Sequence, residues 1–178
     1  MNRTISCILA VSMLLCIATT AACQKQRRPS RYLIPEGYVG WVKIYFKVKD
    51  APVLPIEDGY YLFKFPESGI LRTSSTMEDG WARDQYFYYL GETRHSLEST
   101  GWGGGGMIWA GYSGQGGSAP AGGVSSSKDI PEENKSFFEG FFIGTEAEYK
   151  DYGRYVDEEP GPLDKHAIER KKKRDGIR

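Results

Sequence analysis

Between Tyr38 and Val48 the chain alternates: Val42, Ile44, Phe46 and Val48 share one face, and Trp41, Lys43, Tyr45 and Lys47 the other. A period of two over this length predicts a half-buried strand. Gly59–Phe65 repeats the pattern, with Tyr61, Phe63 and Phe65 against Tyr60, Leu62 and Lys64. Between these stretches "KDAPVLPIED" carries two prolines, which predicts an extended crossover loop rather than a central strand. Pro66, Ser68 and Gly69 mark a turn into "ILRTSS". Further strands are predicted at Asp84–Leu90, Gly106–Tyr112 and Asn134–Gly144; in the last, Gly140 splits Phe137 and Phe138 from Phe141 and Phe142, which implies a bulge. Only "TEAEYKDYGRY" is patterned as a helix. Thr145 suits its cap, Glu146 and Glu148 its positive first turn, and Gly153 its end. Many short strands punctuated by Gly and Pro predict a mainly β fold, an antiparallel sandwich or barrel.

The ends of the chain follow a different pattern. Arg3 precedes an apolar run, Ile5–Ala21, and small residues stand just before Cys23. A charged start, an apolar middle and a small-residue cut site predict a signal peptide over residues 1–22. "TAAC" is similar to the lipobox of bacterial lipoproteins, with Thr20 where leucine is usual. Cys7 and Cys16 would leave with the leader, so Cys23 would stand unpaired. Thioether attachment of a lipid accounts for an odd cysteine in an exported chain, and such an anchor is stable at a bilayer. The alternative is a soluble secreted or periplasmic chain with a free thiol. Gln24 after the cysteine resembles outer-membrane sorting, where the organism has such a membrane.

Charge sharpens this division. The 178-residue chain is neutral, yet residues 24–31 carry +4, residues 165–178 carry +5, and residues 32–164 carry −10. The expected organisation is therefore a lipidated cysteine and basic tether over 23–31, one β domain over 32–158, and a basic tail, disordered or shortly helical, over 159–178. An acidic body with basic ends is not a nucleic-acid footprint. Basic residues beside a lipid anchor would meet anionic headgroups, or would simply be a solvated linker.

"YLIPEGYVGWVKI", "IEDGYYLFKFPESGILRTSS" and "FFIGTEAEY" resemble recurring blocks of an uncharacterised family of bacterial exported and lipoprotein-type domains. That resemblance implies no activity and no site residues. The first block is more distantly similar to transthyretin-type and carboxypeptidase-regulatory sandwiches. It implies a transthyretin-like or immunoglobulin-like sandwich and no function.

Candidate chemistry is sparse. The glycine-rich stretch 101–123 holds half of the chain's 22 glycines and reads as a flexible insertion interrupted by one short strand. "GWGGGG" fits G-x-G-x-x-G, but no helix pattern follows, so no dinucleotide cofactor is implied. Within the stretch, Trp102, Trp109 and Tyr112, with Trp81 and Trp41 elsewhere, are candidate ligand-contact aromatics; packing of Trp109 in the core is the competing reading. His95, beside Ser96, has no nucleophile elbow around it, and His166 lies in the tail. Neither zinc nor EF-hand spacing occurs. Glu57 with Asp58, Glu78 with Asp79, and Asp157–Glu159 are charged turns that also supply carboxylates. The expected function is a lipid-anchored envelope binding or structural module, not an enzyme and without cofactors, whose partner is an envelope protein or a glycan. The alternative is a glycan hydrolase; Glu57, Glu78 or Glu98 in a cleft beside a tryptophan would favour it.

Overall fold

The strand at the centre of the first sheet, β1 (Ser30–Pro35), straddles the expected boundary between basic tether and folded body. The computed structural model describes residues 25–117, 135–151, 161–164 and 173. The predicted leader, Cys23, the helix end at Gly153 and nearly all of the basic tail lie outside the described residues. The fold is mainly β, with two stacked sheets and, among the described residues, a short helix after the last long strand. In the first sheet β1 is flanked in parallel by β4 (Tyr60–Lys64) and β6 (Gln85–Leu90). Antiparallel β3 (Ile56–Glu57) and β7 (Thr93–Ser96) form its edges. In the second, β2 (Gly40–Phe46) pairs with β10 (Lys135–Ile143), then β9 (Ile108–Gly117), then β8 (Gly104–Gly105). The other edge of β2 is shared by parallel β5 (Ile70–Arg72) and antiparallel β11 (Gly161–Pro162).

Both sheets are thus mixed rather than antiparallel. The chain leaves β1 for β2 in the other sheet before returning to β3 and β4, and leaves again for β5 before β6. Neighbours in one sheet are therefore joined through a strand of the other, and such a crossover makes parallel pairs where a hairpin cannot. The proline loop carries one of these crossings: Thr73 Oγ1 donates to Pro52 O at 2.8 Å and Val48 N to Thr73 O at 2.9 Å.

The core lies between the sheets. As the alternation predicts, Val42, Ile44 and Phe46 of β2 point inward. On the facing sheet Tyr32 stands in register with Phe63 and Tyr86. The three rings stack, with centroids 4.8 and 4.9 Å from Tyr32, and Phe141 of β10 meets Tyr32 edge-on at 5.4 Å.

Residues expected to form a free tether belong to this body. Trp81 N donates to Lys25 O at 2.8 Å and Arg27 N to Trp81 O at 3.1 Å. Arg27 forks onto Asp84, while Arg31 in β1 pairs with Glu57 and Asp58 and lies over Tyr60. An acidic body offers these arginines counter-ions nearer than any headgroup. The short helix, α1 (Glu146–Asp151), is capped as predicted: Glu148 N donates to Thr145 Oγ1 at 3.3 Å and Thr145 N to Glu148 Oε2 at 2.9 Å, a capping box.

The bulge exists, but its extra residue lies in β9. Gly140 pairs with Tyr112 and Phe142 with Trp109, so Ala110 and Gly111 together oppose Phe141, with Ala110 at φ +49°. Gly140 answers a different constraint, close approach: a Cβ there would stand 2.6 Å from Val42 O and 2.7 Å from the Tyr112 ring. Gly140→Ala is expected to lower stability by about 1–3 kcal/mol. Urea denaturation would check this, and an unchanged midpoint would show that the two strands separate freely there.

Candidate functional site

β10 turns Phe137, Glu139, Phe141 and Ile143 toward the other sheet, opposite Phe46, Ile44, Val42 and Gly40 of β2. One carboxyl is therefore carried into an apolar face. It emerges at the floor of a cleft of about 610 Å³ beside the starts of β1 and β6. Tyr32 Oη donates to Glu139 Oε1 at 3.4 Å, a long contact, and no described cation lies within ion-pairing distance. Burial pushes the Glu139 carboxyl up to about 7, and the charge of Arg27 only partly opposes this.

Tyr86 reaches the same floor. It is 3% exposed, yet its hydroxyl has no hydrogen-bond partner among the described residues. Burial raises its pKa strongly, with Asp84 and Glu139 adding to the effect. Asp84 is the contrasting carboxylate. It accepts from Arg27 Nη1 at 3.0 Å, Arg27 Nη2 at 2.5 Å and Ser30 N at 2.8 Å, so its oxygens are committed. Charge-assisted bidentate pairs of this kind are among the strongest polar contacts in proteins.

The mouth is aromatic and charged. Trp81 and Trp102 are 51% and 37% exposed, and both line the cleft with Glu78, Asp79 and Arg83. Trp81 is held there by its backbone bonds to Lys25 and Arg27. Trp102 lies over Gly111 in the β9 bulge, where a Cβ would stand 2.8 Å from the indole. The arrangement can seat a planar or ring-shaped ligand over a polar floor.

The other expected residues sit elsewhere. Trp109 stacks on Tyr149 of α1 at 5.7 Å and donates to Gly144 O at 2.9 Å. Tyr112 packs between Trp41 and Phe138 on the outer face of the second sheet. Tyr45 packs on Phe138 there as well, with Lys43 over both rings. Trp102, Trp109 and Tyr112 therefore form no common platform. Glu57 bridges Arg94 and Arg31 on the outer face of the first sheet; Arg94 and then Arg31 hold it down to about 2. His95 lies 3.4 Å from the exposed Glu36. Among the described residues no group of three His, Cys, Asp or Glu is disposed to hold a metal, and no helix is long and apolar enough to cross a bilayer.

Glu139 is the residue that sequence reasoning missed. Its signal is present: counting back by twos from Ile143 passes Phe141 and reaches a glutamate before Phe137. The doubled phenylalanines either side of Gly140 masked that alternation.

The fold and the cleft together define an open two-sheet β domain with a ligand-sized opening between its sheets. Residues 26–96 match a family of unknown function (DUF6843). The crystal structure of a candidate lipoprotein from Bacillus anthracis is similar, with a TM-score of 0.53 and 24% identity over 84% of this chain and 92% of that one. No curated protein matches the chain. The family match is in keeping with an uncharacterised family. It takes in Arg27, Tyr32, Trp81, Asp84 and Tyr86, and stops short of Trp102 and Glu139.

Between about pH 4.5 and 7 the unfolded chain ionises Glu139 while the folded chain keeps it protonated. The fold holds more protons, so this group makes it less stable as pH rises through that window, by about 3 kcal/mol in all. Glu139→Gln removes the effect. Denaturant midpoints of variant and parent should diverge across the window, the variant being the more stable at neutral pH. Parallel curves would mean that the carboxyl is solvated.

Proposed function

We propose that the protein is a binding module held at the cell envelope by lipid on Cys23, with the inter-sheet cleft as its ligand site and an envelope saccharide as its ligand. The observation that carries the reading is the pairing of two exposed tryptophans, Trp81 and Trp102, with a buried polar floor in one cleft. Indole faces pack against sugar rings, and a few fixed polar groups then set orientation. The anchor is supported by "TAAC" at residues 20–23 and by the lipoprotein description of the Bacillus anthracis protein.

Glycan hydrolysis is the second reading, favoured by Glu78 lining the same cleft as both tryptophans. Binding accounts better for the carboxylates. A glycosidase needs two working carboxyls at a set separation. Asp84 is locked by Arg27, and Glu78 accepts from Tyr61 Oη at 2.7 Å and Arg28 N at 3.3 Å.

Two measurements test the proposal. The mature protein from membranes should show a diacylglycerol increment on its Cys23 peptide, lost in Cys23→Ser; an unmodified Cys23 would remove the anchor. Oligosaccharides titrated into the full-length protein in detergent should shift tryptophan emission without being cleaved. Trp81→Ala and Trp102→Ala should each weaken binding roughly tenfold, a typical cost for an aromatic anchor. Cleavage products in the mass spectrum would favour the hydrolase.

A further inference from the structure

The floor of the cleft presents acceptors without a cation. Glu139 opens onto it with one long hydrogen bond and no described counter-ion, and the Tyr86 hydroxyl, buried beside it, has no partner. Two further carboxylates, Glu78 and Asp79, stand at the mouth. The two cations nearby are already engaged. Arg27 is spent on Asp84, Ser30 Oγ and Arg28 O, and the Arg83 guanidinium lies over the Trp81 ring, 5.9 Å from its centroid. A phosphate or carboxylate ligand would meet Glu78 and Asp79 at the mouth and find Arg27 already committed to Asp84. The hydroxyls of a neutral sugar could donate to the Glu139 carboxyl but would bring no positive charge to a cleft that carries the carboxyls of Glu78, Asp79 and Glu139.

We infer that the cleft selects amino sugars, with a free primary amine of the ligand seated between the Glu139 carboxyl and the Tyr86 hydroxyl. An ammonium has three donors and no acceptor, which matches a floor whose carboxyl and phenol oxygens can both accept. The tryptophans at the mouth stack on the sugar ring and add cation–π attraction. The charged and titratable groups acting on Glu139 are Arg27, Asp84, Tyr32 and Asp79, with Tyr86 coupled to it from the neighbouring strand. Of these only Arg27 repels an amine, and Asp84 neutralises it. This inference rests on the cleft being the ligand site, as proposed above.

The test compares a glucosamine tetramer with its fully N-acetylated counterpart, by calorimetry on the full-length protein in detergent at neutral pH. The pair differs only in whether the nitrogen is a free amine. The amine tetramer is expected to bind at least tenfold more tightly. Glu139→Gln, which keeps the side-chain shape, should bring the two tetramers to equal affinity. Tyr86→Phe, which keeps the ring stack, should reduce the preference several-fold, and cooperative thermal unfolding would confirm that both variants fold. Equal binding of the two tetramers, or a preference that survives Glu139→Gln, would overturn the inference and leave the cleft as a saccharide site. Binding of neither would overturn both.

Discussion

Tyr32 is the residue on which the rest of the structure depends. Its ring is stacked between Phe63 and Tyr86 across the three parallel strands of the first sheet, and Phe141 meets it edge-on from the second. Each such pair contributes about 0.5–1.5 kcal/mol beyond the area it buries, and together they set the register of β1, β4 and β6. A tyrosine at the centre of a core also obliges the fold to bring something polar to its hydroxyl. That partner is Glu139. The ladder that knits the sheet therefore also fixes where a charge enters the core.

Tyr86 extends the consequence. Stacked on the other side of Tyr32, it carries its hydroxyl toward the same carboxyl without reaching a partner. The two sheets close on the apolar ends of these rings and open at their polar ends. Where they open, Asp84 is pinned by Arg27 and Glu139 is not. Two acidic side chains a short distance apart thus have different fates: one is a structural clip, the other a protonatable group facing solvent-accessible space.

The clip has a second role. Lys25 and Arg27 fasten Trp81 at the mouth of the cleft, so the chain enters the fold beside its opening. Only Gln24 lies between Lys25 and Cys23. Under the proposed lipid anchor, the cleft would therefore stand close to the headgroups rather than at the end of a long tether. A ligand fixed in the envelope would then be met at short range.

Alternation along β2 and β4, the crossover loop, the cap at Thr145 and the mainly β character were legible in the sequence, because each depends on residues within a few positions of one another. The export pattern over residues 1–22 is likewise a local reading, and it lies outside the described residues. The parallel pairing was not legible, since it arises from the order in which the chain visits two sheets. Nor was the fate of Arg27 and Arg31, which depends on carboxylates that folding brings from Glu57 and Asp84. Glycine content foretold a loose insertion, whereas in β9 Gly111 makes room for the Trp102 indole. The site was the least legible part. Glu139, Tyr86 and Trp81 lie on separate segments, and only the stacking of the two sheets places them around one cleft.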